Sequence, residues 1–215
     1  MEIIIIGLYI IVFIYSVILH EVAHGWVANR FGDDTAKISG RLTLNPIPHI
    51  DVFGSIVLPV LLYIGTGFTF GYAKPVPVNP FRLQGGTKSY RWVTLAGILT
   101  NFSLAIIAGI VLRLVNQTLF FGPENLGVIF FQLIFVINLV LAVFNAMPFP
   151  GFDGYNFLMT FGWFSNAVRQ TPLANPLFMA KYGLFVSLMI LILIWPFVGH
   201  IIGVVINFFA ATLGI

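Results

Sequence analysis

The sequence predicts an all-α polytopic membrane protein, and three observations lead to that prediction. Of the 215 residues, 59% are hydrophobic and only 8% are charged, which is outside the range of soluble domains. Several apolar stretches are long enough to cross the roughly 30 Å hydrocarbon core of a bilayer as helices. Neither an internal repeat nor a low-complexity tract divides the chain. We therefore expect a single membrane-embedded domain over residues 1–215.

The charged residues and the missing cysteines narrow the possible functions. The formal net charge of +3 comes from a few loop cations, which fits the positive-inside bias and does not indicate a nucleic-acid partner. The chain has no cysteine, so disulfides and thiolate metal ligands are excluded. Any metal must be held by His, Asp or Glu. The N-terminus has no cationic region followed by a small-residue cleavage site, so we expect a retained helix and not a signal peptide.

The first apolar segment, Ile3 to Ala28, contains the ionisable cluster His20-Glu21-Val22-Ala23-His24. Polar side chains facing lipid would each cost about 2.5 to 3.5 kcal/mol, so an inward-facing site is favoured over a solvated polar face. His20 and His24 are four residues apart and share one helix face, where both imidazoles can reach one ion. Glu21 lies at the edge of that face and can take a proton from water without binding the metal. This spacing predicts a zinc site with Glu21 as general base.

The first loop, Asn29 to Asp51, is rich in cations and should face the cytoplasm. Within it, the weak alternation of Thr35 to Leu44 predicts a short strand pair. His49 and Asp51 could approach the site as a gate or a polar contact, but we favour the interpretation that they are solvated.

The apolar stretch Val52 to Phe70 is interrupted by Pro59 and is flanked on both sides by cations. If both flanks are cytoplasmic, the stretch cannot make one full crossing, so we predict a re-entrant hairpin; a plain transmembrane helix is the alternative. Next, the prolines of Ala73 to Pro80 enforce an extended chain. This strip could offer a template edge to an extended substrate, although a stiff loop is the favoured interpretation.

Three further apolar segments follow. Arg91 to Val115 should be a helix. Its stripe of small residues, Gly97, Asn101, Ala105 and Gly109, allows close helix packing, and Asn101 on this stripe is interpreted as an interhelical hydrogen-bond donor and not a catalytic group. After Asn116 to Asn125, a cation-free loop expected on the outer face, the chain returns through Leu126 to Met147. Tyr182 to Ile215 is either one kinked crossing or two short segments, and its His200 is assigned a structural role.

A zinc ion held by two histidines needs a third protein ligand. The acidic candidates are Asp33, Asp34, Asp51, Glu124 and Asp153. Asp153 is favoured because it follows a helix that runs the same way as the first one, and because prolines and glycines must unwind the chain around it. An unwound segment can aim a side chain sideways. The alternative, a carboxylate that caps the resumed helix, is compatible with the same role.

These motifs resemble a known family. HEVAHGWVANRFGD in the first helix and FNAMPFPGFDGYNFL in a later one, together with HIDVFGSIVLP and GYAKPVPVNP between them, resemble the site-2 proteases, which are intramembrane zinc metalloproteases. The resemblance covers about residues 5 to 165 and is closest to small prokaryotic members without a PDZ or CBS module. It implies a core of three helices, placed at 3–29, 91–115 and 126–164, with accessory segments at 52–70 and 182–215.

The resemblance also implies roles for particular residues. His20, His24 and Asp153 would bind one Zn²⁺ per chain, and Glu21 would be the general base. Asn145 would bind substrate or stabilise the tetrahedral intermediate, since its amide can donate a hydrogen bond to a developing oxyanion. The expected reaction is hydrolysis of peptide bonds in or near transmembrane segments of membrane-protein substrates.

The resemblance further places the protein in the prokaryotic cytoplasmic membrane, with its site near the cytoplasmic side. Two other classes of function remain open at this point. A metal transporter could use a site of His and Asp residues within the membrane, although such proteins usually have repeated halves. A catalytically inactive scaffold would be expected to lack at least one motif residue, whereas all are present here.

Overall fold

The computed structural model of the protein describes residues 1–66, 71–117, 122 and 124–215. Within these ranges the chain forms helices and no strands. Four helical segments are long and apolar enough to cross a membrane: Glu2–Arg30, Thr87–Val115, Leu126–Asn145 and Ile192–Leu213. The prediction of an all-α polytopic membrane protein is therefore confirmed at the level of fold class.

The described residues form eight α-helices: α1 (Glu2–Arg30), α2 (Thr35–Ile38), α3 (Leu58–Thr66), α4 (Thr87–Gln117), α5 (Leu126–Asn145), α6 (Asp153–Met159), α7 (Gly162–Arg169) and α8 (Pro176–Leu213). Shorter helical turns lie at Ile47–His49, Phe53–Val57, Pro80–Arg82 and Pro172–Ala174. The predicted helices at 3–29 and 91–115 lie within α1 and α4, and α4 begins one turn earlier than predicted.

Helix α4 is the central element, because it packs against α1, α5, α6 and α8. The predicted stripe of small residues forms part of this packing: Ala105 of the stripe, together with the nearby Ala108, is buried against Phe135 and Leu139 of α5. Small side chains allow two helix backbones to approach closely where lipid supplies no hydrophobic drive for association. The stripe therefore brings α4 close to its neighbours, and this places its polar residues within reach of the first helix.

The chain unwinds after Asn145, where α5 ends, and resumes as a helix at Asp153. Asp153 is the first residue of α6 and makes no capping hydrogen bond there, so the capping role is not supported. The predicted core segment 126–164 is therefore divided. After α5, the resumed helix α6 ends at Met159, and a separate helix, α7, begins at Gly162. The broken region thus consists of two short helices.

The last apolar segment forms one helix, α8, which continues through Pro196. It starts at Pro176, six residues before the predicted boundary, and Asn175 caps it by accepting hydrogen bonds from Leu177 N and Phe178 N. Of the two alternatives for 182–215, the structure therefore has the single helix. Its final turns pack on the α4–α5 core through Phe209 and Leu213.

Between α1 and α4, the stretch predicted as a re-entrant hairpin contains the turn Phe53–Val57 and helix α3, which together are shorter than a transmembrane helix. Residues 67–70 of this stretch lie outside the described residues, as do residues 118–121 and 123 of the predicted outer loop 116–125. The N–H of Tyr72 donates to the carbonyl of Gly54, so the chain returns beside the start of the segment. That return is the path expected of a hairpin.

The predicted strand pair at 35–44 is wrong, because Thr35–Ile38 forms the one-turn helix α2. Asp33 is the physical reason. Its fully buried carboxylate accepts hydrogen bonds from the N–H and hydroxyl of Thr35, which satisfies an amide of the first turn, and from the N–H of Asn79 at 2.6 Å. Burial acts to raise the pKa of Asp33, but these hydrogen bonds hold it below its ordinary value.

Candidate metal centre

The structure brings His20, His24 and Asp153 together. Both histidines are on α1, one turn apart, and Asp153 is at the start of α6. The Nε2 atoms of His20 and His24 are 3.1 Å apart, and each lies 3.0 Å from Oδ2 of Asp153. Among the described residues, these three are the group of His and acidic side chains with the geometry to hold a metal. The ligand set predicted from the sequence is therefore assembled in one place.

The opposite ring nitrogens show which atoms face the centre of this triangle. Nδ1 of His20 lies 2.5 Å from Oδ1 of Asn101, and Nδ1 of His24 lies 2.6 Å from the carbonyl oxygen of Val93. A carbonyl oxygen only accepts hydrogen bonds, so His24 must donate from Nδ1, and the same geometry favours donation by His20. In neutral imidazoles Nε2 then carries a lone pair. Asp153 Oδ2 is buried and receives no hydrogen bond from the described residues.

With both imidazoles neutral, three acceptor atoms thus face one another at about hydrogen-bond distance with no proton between them. Such an arrangement is repulsive unless a cation lies between the three atoms. A tetrahedral zinc ion with ligand distances of about 2.0 to 2.1 Å would need ligand atoms about 3.4 Å apart. The observed triangle is tighter by a few tenths of an ångström, so small side-chain shifts would fit the ion. Two imidazoles and one carboxylate also form an established catalytic zinc ligand set.

Gly97 of α4 leaves the space that the ion needs. A Cβ atom at this position would lie 2.5 Å from both His20 Nε2 and His24 Nε2, far inside ordinary contact distance. A side chain at this position would therefore force the two ligand nitrogens to move. The sequence pattern predicts only close helix packing at Gly97. The structure adds that, because Gly97 has no side chain, α4 can lie directly beside the Nε2 atoms of His20 and His24.

Glu21 lies next to the first histidine and is partly buried. Its Oε2 accepts a hydrogen bond of 2.8 Å from the backbone N–H of Val76, in the middle of the strip Ala73 to Pro80. Val76 is itself buried, and a Cβ at Gly25 would collide with its side chain. The strip therefore lies directly against α1 beside the predicted general base. No feature of the sequence indicated this contact.

Other backbone groups hold the strip in place. The N–H of Lys74 donates to the carbonyl of His49, and the Lys74 carbonyl accepts from Nη2 of the buried Arg41 at 2.6 Å. The N–H of Asn79 donates to Asp33. The strip is thus a braced element and not a free loop. Whether substrate uses it as a template stays a prediction.

Asn145 is the last residue of α5, and its Nδ2 donates to the carbonyl of Leu141 on the same helix at 2.9 Å. A second N–H on the same nitrogen remains for another acceptor. Gly154 contributes to the placement of Asp153, because a Cβ there would collide with the carbonyls of Ala146 and Met147. The end of α5 and the start of α6 are therefore in close contact.

Arg91 ties α6 to α4. Its Nε donates to the hydroxyl of Thr160 at 2.9 Å, its Nη2 donates to the Thr160 carbonyl at 3.2 Å, and its guanidinium lies 4.1 Å from the centre of the Phe161 ring. Paired donors and ring stacking are contacts that lysine could not reproduce. The sequence suggested only that Arg91 marks a cytoplasmic boundary. The structure shows that it anchors the helix that carries Asp153.

The remaining acidic candidates have other partners. Asp33 binds Thr35 and Asn79, Asp34 pairs with Arg82, and Asp51 accepts from the N–H of Gly54 at 2.7 Å. Glu124 is exposed. None of these four joins the group of ligand atoms in the described part of the chain.

The two other histidines also lie outside the ligand group. The predicted solvation of His49 is wrong, since this residue is only 3% exposed and its Nε2 donates to the Thr43 carbonyl at 2.9 Å. Its burial follows from the packing of the loop, which no local pattern in the sequence revealed. His200 is exposed on α8, and the hydrogen bonds found in the described ranges do not include it.

The known proteins that resemble this chain are named as putative zinc metalloproteases. The chain is 36% identical over 193 residues to a Bacillus subtilis protein named "Putative zinc metalloprotease YwhC", which covers 87% of this chain and 84% of the relative. No family model matches the chain, and neither does any solved structure.

Two mycobacterial relatives share the name "Putative zinc metalloprotease Rip2". The Mycolicibacterium smegmatis protein is 35% identical over 162 residues, and the Mycobacterium tuberculosis protein is 33% identical over 144 residues. These matches span 71% and 65% of this chain, but only 58% and 51% of the relatives' own lengths. Together with the longer Bacillus match, they show that the chain belongs to the site-2 protease family of zinc metalloproteases.

Proposed function

We propose that this protein is an intramembrane zinc metalloprotease that hydrolyses peptide bonds in or near the transmembrane segments of other membrane proteins. The observation that carries the proposal is the triangle of three acceptor atoms on His20, His24 and Asp153, with the Glu21 carboxylate on the same helix. Two of the three ligand residues, His20 and His24, lie on a helix long and apolar enough to span a membrane. In the cell, this activity would serve regulated intramembrane proteolysis.

His20 and His24 would hold one zinc ion through Nε2 and Asp153 through Oδ2. When bound, zinc would supply a Lewis acid that polarises the scissile carbonyl and makes water more acidic. Glu21 would accept the proton of the attacking water and then deliver it to the leaving amine. Because Val76 N–H occupies Oε2 of Glu21, the other carboxylate oxygen is available for this transfer. The remaining N–H of Asn145 would stabilise the developing oxyanion.

The substrate segment must be locally unwound before it can be cleaved. In an α-helix, the backbone amides and carbonyls bond to one another and the scissile carbonyl is shielded. We therefore expect substrates with small or helix-breaking residues at the cleaved position.

We place the protein in the cytoplasmic membrane, with the site near the cytoplasmic side. The support is that Arg30 ends α1 and Arg91 lies near the start of α4, with Arg82 in the turn before α4, and these are the helix ends nearest the ligand triangle. Because the chain has no cysteine, a single Ser39→Cys variant can be labelled selectively at this exposed loop. Labelling by a membrane-impermeant reagent in inverted vesicles, and not in intact cells, is the expected result; labelling in intact cells would reverse the orientation.

The experiment that tests the function compares Glu21→Gln with wild type on a reporter that spans the membrane. We expect one zinc per chain in both proteins by elemental analysis, and cleavage by wild type alone. Glu2→Gln is the matched control, since Glu2 is on the same helix but in its first turn, and it should cleave normally.

The same preparation separates the alternatives. Cleavage retained by Glu21→Gln would remove Glu21 from the mechanism. Zinc flux into vesicles without cleavage would favour a transporter. Neither cleavage nor flux would favour an inactive scaffold.

A further inference from the structure

We propose that Asn101 is a positioning residue for the metal centre: it fixes the tautomer and ring orientation of His20 and is itself oriented by Asn138 and Ser16. The proposal rests on the zinc site of the proposed function. It goes beyond the ligands themselves, because it assigns a role to three polar side chains that touch neither the metal position nor the substrate.

The three residues form a buried polar cluster between α1, α4 and α5. Asn101 and Asn138 have no exposed surface, and Ser16 is only 4% exposed. Asn101 Nδ2 lies 2.8 Å from Asn138 Oδ1 and 3.3 Å from the Ser16 carbonyl. Asn138 Nδ2 lies 2.9 Å from both the Ser16 hydroxyl and the Ile134 carbonyl. Buried amides are costly unless paired, so this cluster requires a reason.

Two backbone carbonyls determine how both amides are turned. The carbonyls of Ile134 and Ser16 can only accept, so the NH₂ groups of Asn138 and Asn101 must face them. If either amide were flipped, oxygen would face oxygen at each of these contacts. The orientation of Asn101 is therefore imposed by the main chain of α1 and α5. Its Oδ1 is left pointing at His20.

The consequence for His20 is a defined tautomer. Oδ1 of Asn101 accepts from Nδ1–H of His20 at 2.5 Å, so the proton is held on Nδ1 and the lone pair of Nε2 faces the ligand triangle. A neutral imidazole with the proton on Nε2 could not bind a metal through that atom. Asn101 thus keeps His20 ready for the metal before any ion arrives.

The two histidines differ in how they are held. His24 donates to a backbone carbonyl, that of Val93, which no side-chain substitution removes. His20 depends on a side chain. Substitution of Asn101 should therefore change His20 and spare His24, which makes the inference specific enough to test.

The test uses two substitutions of Asn101. Both remove the hydrogen bonds that the Asn101 amide donates, but only one of them keeps an acceptor for the Nδ1–H of His20. Asn101→Leu removes every polar contact. Asn101→Asp keeps an acceptor for His20 Nδ1–H but can no longer donate as the amide does to Asn138 and Ser16. Thr94→Val is the matched control, because Thr94 is also buried on α4 and, among the described residues, its hydroxyl bonds only to the Arg91 carbonyl of its own helix. Asn101→Val replaces the leucine variant if that protein does not fold.

Two measurements are made on each full-length protein in detergent. Nitrogen NMR of the zinc-free protein reports which ring nitrogen of His20 carries the proton, with His49→Gln and His200→Gln variants used to assign the four histidines. Competition with a chelator gives zinc affinity. Loss of an outer partner of a metal-bound histidine typically weakens metal binding by about 10- to 100-fold.

In the leucine variant, we expect His20 no longer to carry its proton on Nδ1, and we expect zinc affinity to fall by about 10- to 100-fold. The aspartate variant should keep the proton on Nδ1, and its zinc affinity should stay within about tenfold of wild type. Thr94→Val should match wild type. The proposal is overturned if the leucine variant keeps both the tautomer and the affinity, or if the aspartate and leucine variants lose equally, since a purely structural cluster would be damaged alike by both. If wild type binds no zinc, the proposed function fails, whereas the NMR of the zinc-free protein still decides the role of Asn101.

Discussion

A single methyl group at Gly97 should remove the metal from this protein. In Gly97→Ala, the new Cβ would start 2.5 Å from Nε2 of both His20 and His24. Ordinary carbon–nitrogen contact is about 3.5 Å or more, so α4 or the two rings would have to move by about 1 Å. Such a shift is large for a centre in which distances must hold to within about 0.2 Å.

The free-energy cost divides into two parts that can be measured separately. Overpacking a buried position typically costs about 1 to 3 kcal/mol of stability, which a helical membrane protein can survive. Metal binding should be affected more strongly, because the methyl carbon would displace the two Nε2 atoms that would hold the ion. We therefore expect zinc content to fall to background and cleavage with it, while the protein remains folded.

Two glycine-to-alanine controls isolate this effect. Gly109→Ala is on the same helix and also meets neighbours: the tip of the flexible Leu213 side chain, which can move aside, and at 3.3 Å the ring of Phe135. Gly203→Ala on α8 meets nothing within 4 Å. Both should retain zinc by elemental analysis after gel filtration. If Gly97→Ala also retains one zinc per chain and normal cleavage, the position assigned to the ion is incorrect.

Three further predictions concern the surroundings of the site. Val76→Pro removes the N–H that binds Glu21, so it should slow cleavage at least about tenfold while zinc is retained. Val76→Ala keeps that N–H and should cleave at a nearly normal rate in the same assay. Equal cleavage rates for the two variants would refute a role for this hydrogen bond. Arg91→Lys should loosen the helix that carries Asp153 and speed zinc loss to a chelator, and unchanged release would contradict the anchoring role. Because the pKa of Asp33 is lowered in the folded protein, this carboxylate stabilises the fold fully above its unfolded-state pKa of about 4. That stabilisation is lost as pH falls through the lower folded pKa. The thermal unfolding temperature of Asp33→Asn should therefore depend less on pH below about pH 4 than that of wild type.

The parts of this protein that the sequence predicts well are those governed by lipid. A long apolar run has one stable form in a bilayer, so α1, α4 and α5 could be located to within a few residues. The cost of ionisable groups in that setting also pointed to His20 and His24, and the proline-rich break pointed to Asp153. Each of these inferences depends on local composition alone.

The errors and omissions concern contacts between distant segments. The burial of His49 and the hydrogen bond from Val76 to Glu21 depend on how the first loop folds over α1, which local pattern does not encode. The strand pair at 35–44 failed for a related reason, since the weak alternation was outweighed by the turn that Asp33 nucleates. Asn101 was correctly interpreted as an interhelical donor, but its acceptance from His20 required the orientation of two further amides.

The ligand triangle has a consequence for assembly as well as for chemistry. It joins the opening helix to a segment 133 residues later in the chain, with helices α2 to α5 between the two. Because the protein has no cysteine to form a disulfide, a bound ion would be the cross-link that closes this long loop. Loading of the metal and closure of the bundle are then coupled, so each zinc captured would also favour the closed fold.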